Sequence, residues 1–158
     1  MKIGEHNLRE HIRLLYPFFG FIALIWLLRM VLDALGAPNW LVRILSVSGA
    51  SSLSVVLAVL LIHVRNFGSY PSVFLTSLLL VAWRELLIIL AILFSVFTGI
   101  ENIYTAPEFS IPEDDPYHIW HILGHLTFSI GAGTLLGGAM GCLLLWLLRK
   151  LVPAPPVR

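Results

Sequence analysis

Residues 71–100 read PSVFLTSLLLVAWRELLIILAILFSVFTGI, an apolar run whose only charged residues, Arg84 and Glu85, are adjacent near its middle. A helix needs about 20 apolar residues to cross a hydrocarbon layer, and this run exceeds that. Three others match it in character, at about 17–36, 40–64 and 117–151. None alternates with the two-residue period of a membrane β-barrel, so helices are the remaining way to satisfy backbone polar groups in lipid. The whole chain of 158 residues is 58% hydrophobic and 12% charged, with a mean hydropathy of +0.91. A soluble domain of this size needs more polar surface to cover its core. The expected fold is therefore an all-α integral membrane protein: four transmembrane helices in an antiparallel bundle, forming one domain over 1–158.

The net charge of +1 says little, but its distribution is informative. Lys2, Arg9, Arg13, Arg65, Arg149, Lys150 and Arg158 lie before the first run, between the second and third, or after the fourth. The opposite side keeps one basic residue, Arg43, and carries Glu101, Glu108, Glu113, Asp114 and Asp115. The positive-inside rule then predicts both termini in the cytoplasm of a bacterial-type cytoplasmic membrane, with the acidic 101–116 loop facing outward. Prolines 107, 112 and 116 and the acids in that loop argue against a folded module.

Ahead of the first run, residues 1–16 place Ile3, Leu8, Ile12 and Leu15 near one face, as in a short interfacial helix that enters the membrane at Pro17. His6 and His11 are expected to face water. The segment lacks the form of a cleavable signal peptide, so the first span is expected to be retained. The single cysteine, Cys142, permits no intramolecular disulfide and reads as a small buried apolar residue.

Charges inside a span need a partner or water. Four such residues occur: Arg29 and Asp33 in the first span, Arg84 and Glu85 in the third. Neighbours in sequence lie about 100° apart on a helix, so Arg84 and Glu85 are expected to look elsewhere. Arg84 with Asp33 and Glu85 with Arg29 would close two ion pairs and fix the register of the bundle.

The fourth span opens with His118, His121 and His125, which helical spacing gathers within an arc of roughly 60°. Glu113, Asp114 and Asp115 immediately precede them. Two of the histidines could chelate a divalent ion such as zinc, with one of the acids folding back as a further ligand. The competing reading is an aromatic belt at the headgroups, with His118 beside Tyr117 and Trp120. The HxxxH spacing lacks the glutamate of the HExxH zinc motif. A haem would need a second histidine, and His63 lies at the far end of span two. Nucleophile elbows, phosphate loops and basic nucleic-acid stripes are all lacking.

Glycines complete the pattern. Gly133, Gly137 and Gly141 form GxxxGxxxG, a strip on which another helix can approach closely. Gly124, Gly131 and Gly138 recur every seven residues and mark a second smooth face. One strip could pack inside the bundle and the second is then surplus; with short inner loops, this favours a non-enzymatic membrane subunit that packs on other transmembrane helices, in a homo-oligomer or a hetero-complex. A second reading is divalent-ion binding or transport through the histidine and acidic cluster. A third is a haem or quinone site near His125, Arg84 and the serines of span two.

Overall fold

A computed structural model describes residues 2–3, 6–105 and 118–152 of the chain. A two-residue strand pair, Lys2–Ile3 with His6–Asn7, precedes six α-helices. They are α1 (Leu8–Ala34), α2 (Asn39–Ile44), α3 (Val47–Val64), α4 (Tyr70–Thr98), α5 (Ile119–Gly124) and α6 (Ile130–Leu151). A π-helical turn, His125–Ser129, joins α5 to α6 without a break. Four stretches are long and apolar enough to cross a membrane: Leu8–Ala34, Asn39–Val64, Tyr70–Thr98 and Ile119–Leu151.

Local chemistry sets the helix ends. Asn7 and Glu10 form a capping box at the start of α1: the Asn7 side chain accepts from the Glu10 N–H, and the Glu10 carboxylate accepts from the Asn7 N–H. α1 then runs through Pro17 without stopping. The separate interfacial helix expected over 1–16 is therefore, from Leu8 onward, the first turns of α1. The second stretch is interrupted at Leu45–Ser46, where the Ser46 hydroxyl accepts from the Gly49 N–H and starts a new helix. α4 ends at Gly99, whose φ of 70° is a left-handed conformation that glycine adopts without strain.

α4 lies at the centre, packing most extensively on α6 and also on α1 and α3. The GxxxGxxxG strip explains the closeness of α4 and α6. A Cβ at Gly137 would fall 2.5 Å from Ser77 Oγ, one at Gly141 2.7 Å from Val73, and one at Gly133 2.9 Å from Val81. Gly138 lies equally tight on Phe74. Gly124 and Gly131 meet nothing within 4 Å. Leu15, Ile22, Ala58, Leu80 and Ile92 form the apolar core. A second cluster, around Val59, Ile62, Val73 and Leu145, lies nearer the end where α6 finishes.

Two expectations fail at the periphery. His11 is fully buried rather than watered; its Nδ1 donates to the Asn7 carbonyl and its ring meets Phe67 edge-on. His6 stacks flat on the same Phe67, 3.8 Å between centroids. The beginning of the 101–116 loop is also structured. Asn102, Tyr104 and Thr105 are buried, with the Asn102 amide donating to the Ala91 carbonyl and Thr105 bonded to Ser95.

Candidate functional site

The site is assembled where α4 meets the π turn. Glu85, in the middle of α4, has only 1% of its side chain exposed. One carboxylate oxygen, Oε1, accepts from Arg84, from Nε at 2.8 Å and also from Nη2. The other, Oε2, lies 2.5 Å from His125 Nδ1. An ionised carboxylate only accepts, so with Glu85 charged the Nδ1 atom carries the proton and Nε2 is left for other work.

These contacts replace the ion pairs expected from the sequence. Arg84 bonds to its neighbour Glu85 rather than to Asp33, because its long side chain bends around the helix across the 100° separation. Arg29 does not reach Glu85: its guanidinium lies 5.0 Å over the ring of Tyr104. Asp33 accepts from the Ile103 N–H at 2.8 Å and so ties the residues after α4 to the end of α1. The charges hold α1 to the 101–105 segment, and α4 to the fourth stretch.

His125 reaches Glu85 because of the π turn. In an uninterrupted α-helix, His125 and Gly133 would point about 80° apart. One extra residue in the turn brings them to within about 20°, so histidine and glycine strip both face α4. Thr127 within the turn bonds back to the Leu123 carbonyl, a habit that bends helices. His121 follows one turn before, its ring 4.9 Å from that of His125, and His118 lies 6.2 Å beyond His121. His118 begins α5 with a φ of 52°, a strained value for a non-glycine residue.

Two cavities flank this array. A chamber of about 200 Å³ is lined by Arg29, Val47, Ser48, Ile88, Ile103, Tyr104, His121 and His125. Arg29 Nε is buried without a hydrogen-bond partner among the described residues, and the buried Tyr104 hydroxyl has the Arg29 side chain beside it. Burial pushes the Tyr104 phenol up from its ordinary range, so it stays a donor. The second cavity is a groove of about 620 Å³ between α3 and α6. Its walls are aliphatic and glycine, with Val55, Val56, Val81, Leu136, Gly137 and Met140 among them, and its one charged lining residue is Arg84. Ser51 and Ser52 add hydroxyls, and Ser51 Oγ is buried with no partner among the described residues.

The metal reading gains no completed site. Among the described residues no three histidine, cysteine or acidic side chains form a metal-binding group. Glu113, Asp114 and Asp115, the acids expected to join His118, His121 and His125, lie outside the described residues. His63, the remote haem-ligand candidate, is at the other end of the bundle and donates to the Val152 carbonyl at the close of α6. The groove and the π turn were not legible in the sequence as such; the threonine between two glycine-flanked stretches was the one local hint. Comparisons with protein-family profiles, curated proteins and solved structures find no match to this chain.

Proposed function

We propose that this chain is an integral membrane protein of four antiparallel spans that binds a lipid-soluble ligand of the quinone class beside Arg84. The apolar groove between α3 and α6 carries the reading. Its wall is aliphatic along most of its length and gains hydrogen-bond donors at one place, as a ligand with an isoprenoid tail and an accepting carbonyl head requires. Arg84, steadied by Glu85, and the unpartnered Ser51 hydroxyl are those donors. In this reading the protein is a non-enzymatic subunit of a redox membrane, and the carboxylate–histidine pair behind Arg84 is placed to exchange protons. A haem finds less support, since the chamber beside His125 is smaller than the pockets that hold even drug-sized ligands. A bound zinc would need a third ligand from the acids before span four.

The membrane itself is supported by surface. Within α1 and within the fourth stretch only 17% of the most apolar window is buried, leaving Leu24, Leu28, Phe128, Leu135 and Met140 exposed. So much exposed apolar surface calls for lipid or a partner. The charge distribution supports a topology with both termini in the cytoplasm and the acidic segment outside.

Titration of protein in detergent with a short-tailed quinone, followed by tryptophan fluorescence, tests the ligand. Saturable quenching is expected, weakened at least tenfold by Arg84→Leu or Ser51→Leu. Linear, unsaturable quenching that is equal in all three proteins would remove the reading. A second reading, packing on other membrane helices, is favoured by Gly124 and Gly131, which open onto an exposed flank with Leu123 and Phe128. Gly131→Leu should then reduce the size of the particle extracted in mild detergent.

A further inference from the structure

Beyond the contacts of Glu85 with Arg84 and His125, two further imidazoles lead from His125 to the end of the helix. We infer that His118, His121 and His125 form a one-sided proton route between the aqueous phase at the α5 end of the bundle and the Glu85 carboxylate. The route stands on geometry alone. Calling that side the outside rests on the topology proposed above, and coupling it to a ligand rests on the quinone reading.

The three rings follow one face in steps of 6.2 and 4.9 Å, and the last ring meets Glu85 directly. The chamber between His121 and His125 has room for several waters at roughly 30 Å³ each. Buried water needs polar partners, and Tyr104, Arg29 and Ser48 in the chamber lining supply polar groups. The charged and titratable groups beside the array are Arg84 and Glu85 from α4, Arg29 from α1 and Tyr104 from the segment after α4, while Asp33, one turn from Arg29, is engaged by the Ile103 N–H. α3 offers the Ser48 hydroxyl to the chamber.

Away from the α5 end, polar groups become sparse among the described residues. Beyond Gly133 the α4–α6 interface is the tight seam of Val81, Ser77 and Val73 against glycine, and the groove is walled mainly with aliphatic side chains, with Arg84, Ser51 and Ser52 as its polar lining. The transfer itself balances. A proton reaching Nε2 of His125 makes an imidazolium; the Nδ1 proton then passes to Glu85 Oε2. The ring is left neutral with its proton on Nε2, the carboxylate becomes a carboxylic acid, and the reverse sequence releases the proton to the same side.

The test uses the full chain, labelled with ¹⁵N-histidine, stripped of lipid-soluble ligands and held in nanodiscs. The exchange of the His125 ring proton with deuterated solvent is followed by NMR. His121→Phe is expected to slow that exchange at least tenfold, while Leu136→Trp, which fills the groove, leaves it unchanged. Should His121→Phe fail to fold, as judged by circular dichroism, Ser48→Trp obstructs the chamber from α3 and is expected to slow exchange likewise. Exchange at the wild-type rate in the folded chamber variants, or slowing by Leu136→Trp instead, overturns the route. Because no ligand is present, absence of quinone binding does not affect the result.

Discussion

Arg84 and Glu85 occupy a place where charge is expensive, and each survives by bonding to the other. Removing one partner from a buried pair costs about 3–5 kcal/mol, whereas replacing both with well-packed apolar groups is often neutral. Glu85→Ala is therefore expected to lower the thermal unfolding midpoint sharply in detergent. The double replacement Arg84→Met, Glu85→Leu should restore most of that stability and still abolish quinone titration, which separates holding the fold from serving the ligand. These residues were legible in the sequence as unusual, because intramembrane charges always are. Their pairing was not. A helical wheel records the direction of Cα–Cβ bonds, and the arginine side chain is long enough to bend around that direction. Arg29 and Asp33 were likewise visible, but their partners, Tyr104 and the Ile103 N–H, lie in a segment whose prolines and acids disguised its first residues as solvent loop.

The glycine strip and the π turn divide the work of the fourth stretch. The strip fixes how α6 lies on α4, and the turn decides which side chains arrive at Glu85. Gly137→Leu is expected to prevent a folded bundle, measured as loss of monodisperse protein on size exclusion, because Ser77 and Val55 leave no room for it. Gly131→Leu is expected to fold normally, since its Cβ side is open. Deleting Phe128, whose side chain is 78% exposed, should convert the π turn to α-helix. The strip would keep its seat, and His125 would swing about 100° away from Glu85. The expected result is retained helix content by circular dichroism with loss of the Glu85-dependent chemical shift of the His125 ring. The spacing of the glycines was readable, and so was room for one strip inside the bundle; which strip would go there was not, since a smooth face looks the same from either side.

The molecule as a whole is a sleeve of apolar helices around a polar interruption. Four apolar runs and their flanking charges were plain from composition, while the first helix begins nine residues before its apolar run, at Leu8. The buried His11, edge-on to Phe67 in the turn between α3 and α4, does not face water as its amphipathic pattern suggests, because such a pattern ignores what folds over it. For the arrangement in the membrane, Glu101→Cys in a Cys142→Ser background is expected to react with an impermeant maleimide applied outside intact cells, and Ser69→Cys only after the membrane is opened. Native mass spectrometry of the protein released from nanodiscs weighs the occupant of the groove directly. A stoichiometric redox-active lipid-soluble molecule, lost in Arg84→Leu, is the expected spectrum; a bare polypeptide with equal spectra for both proteins would contradict a ligand site at Arg84.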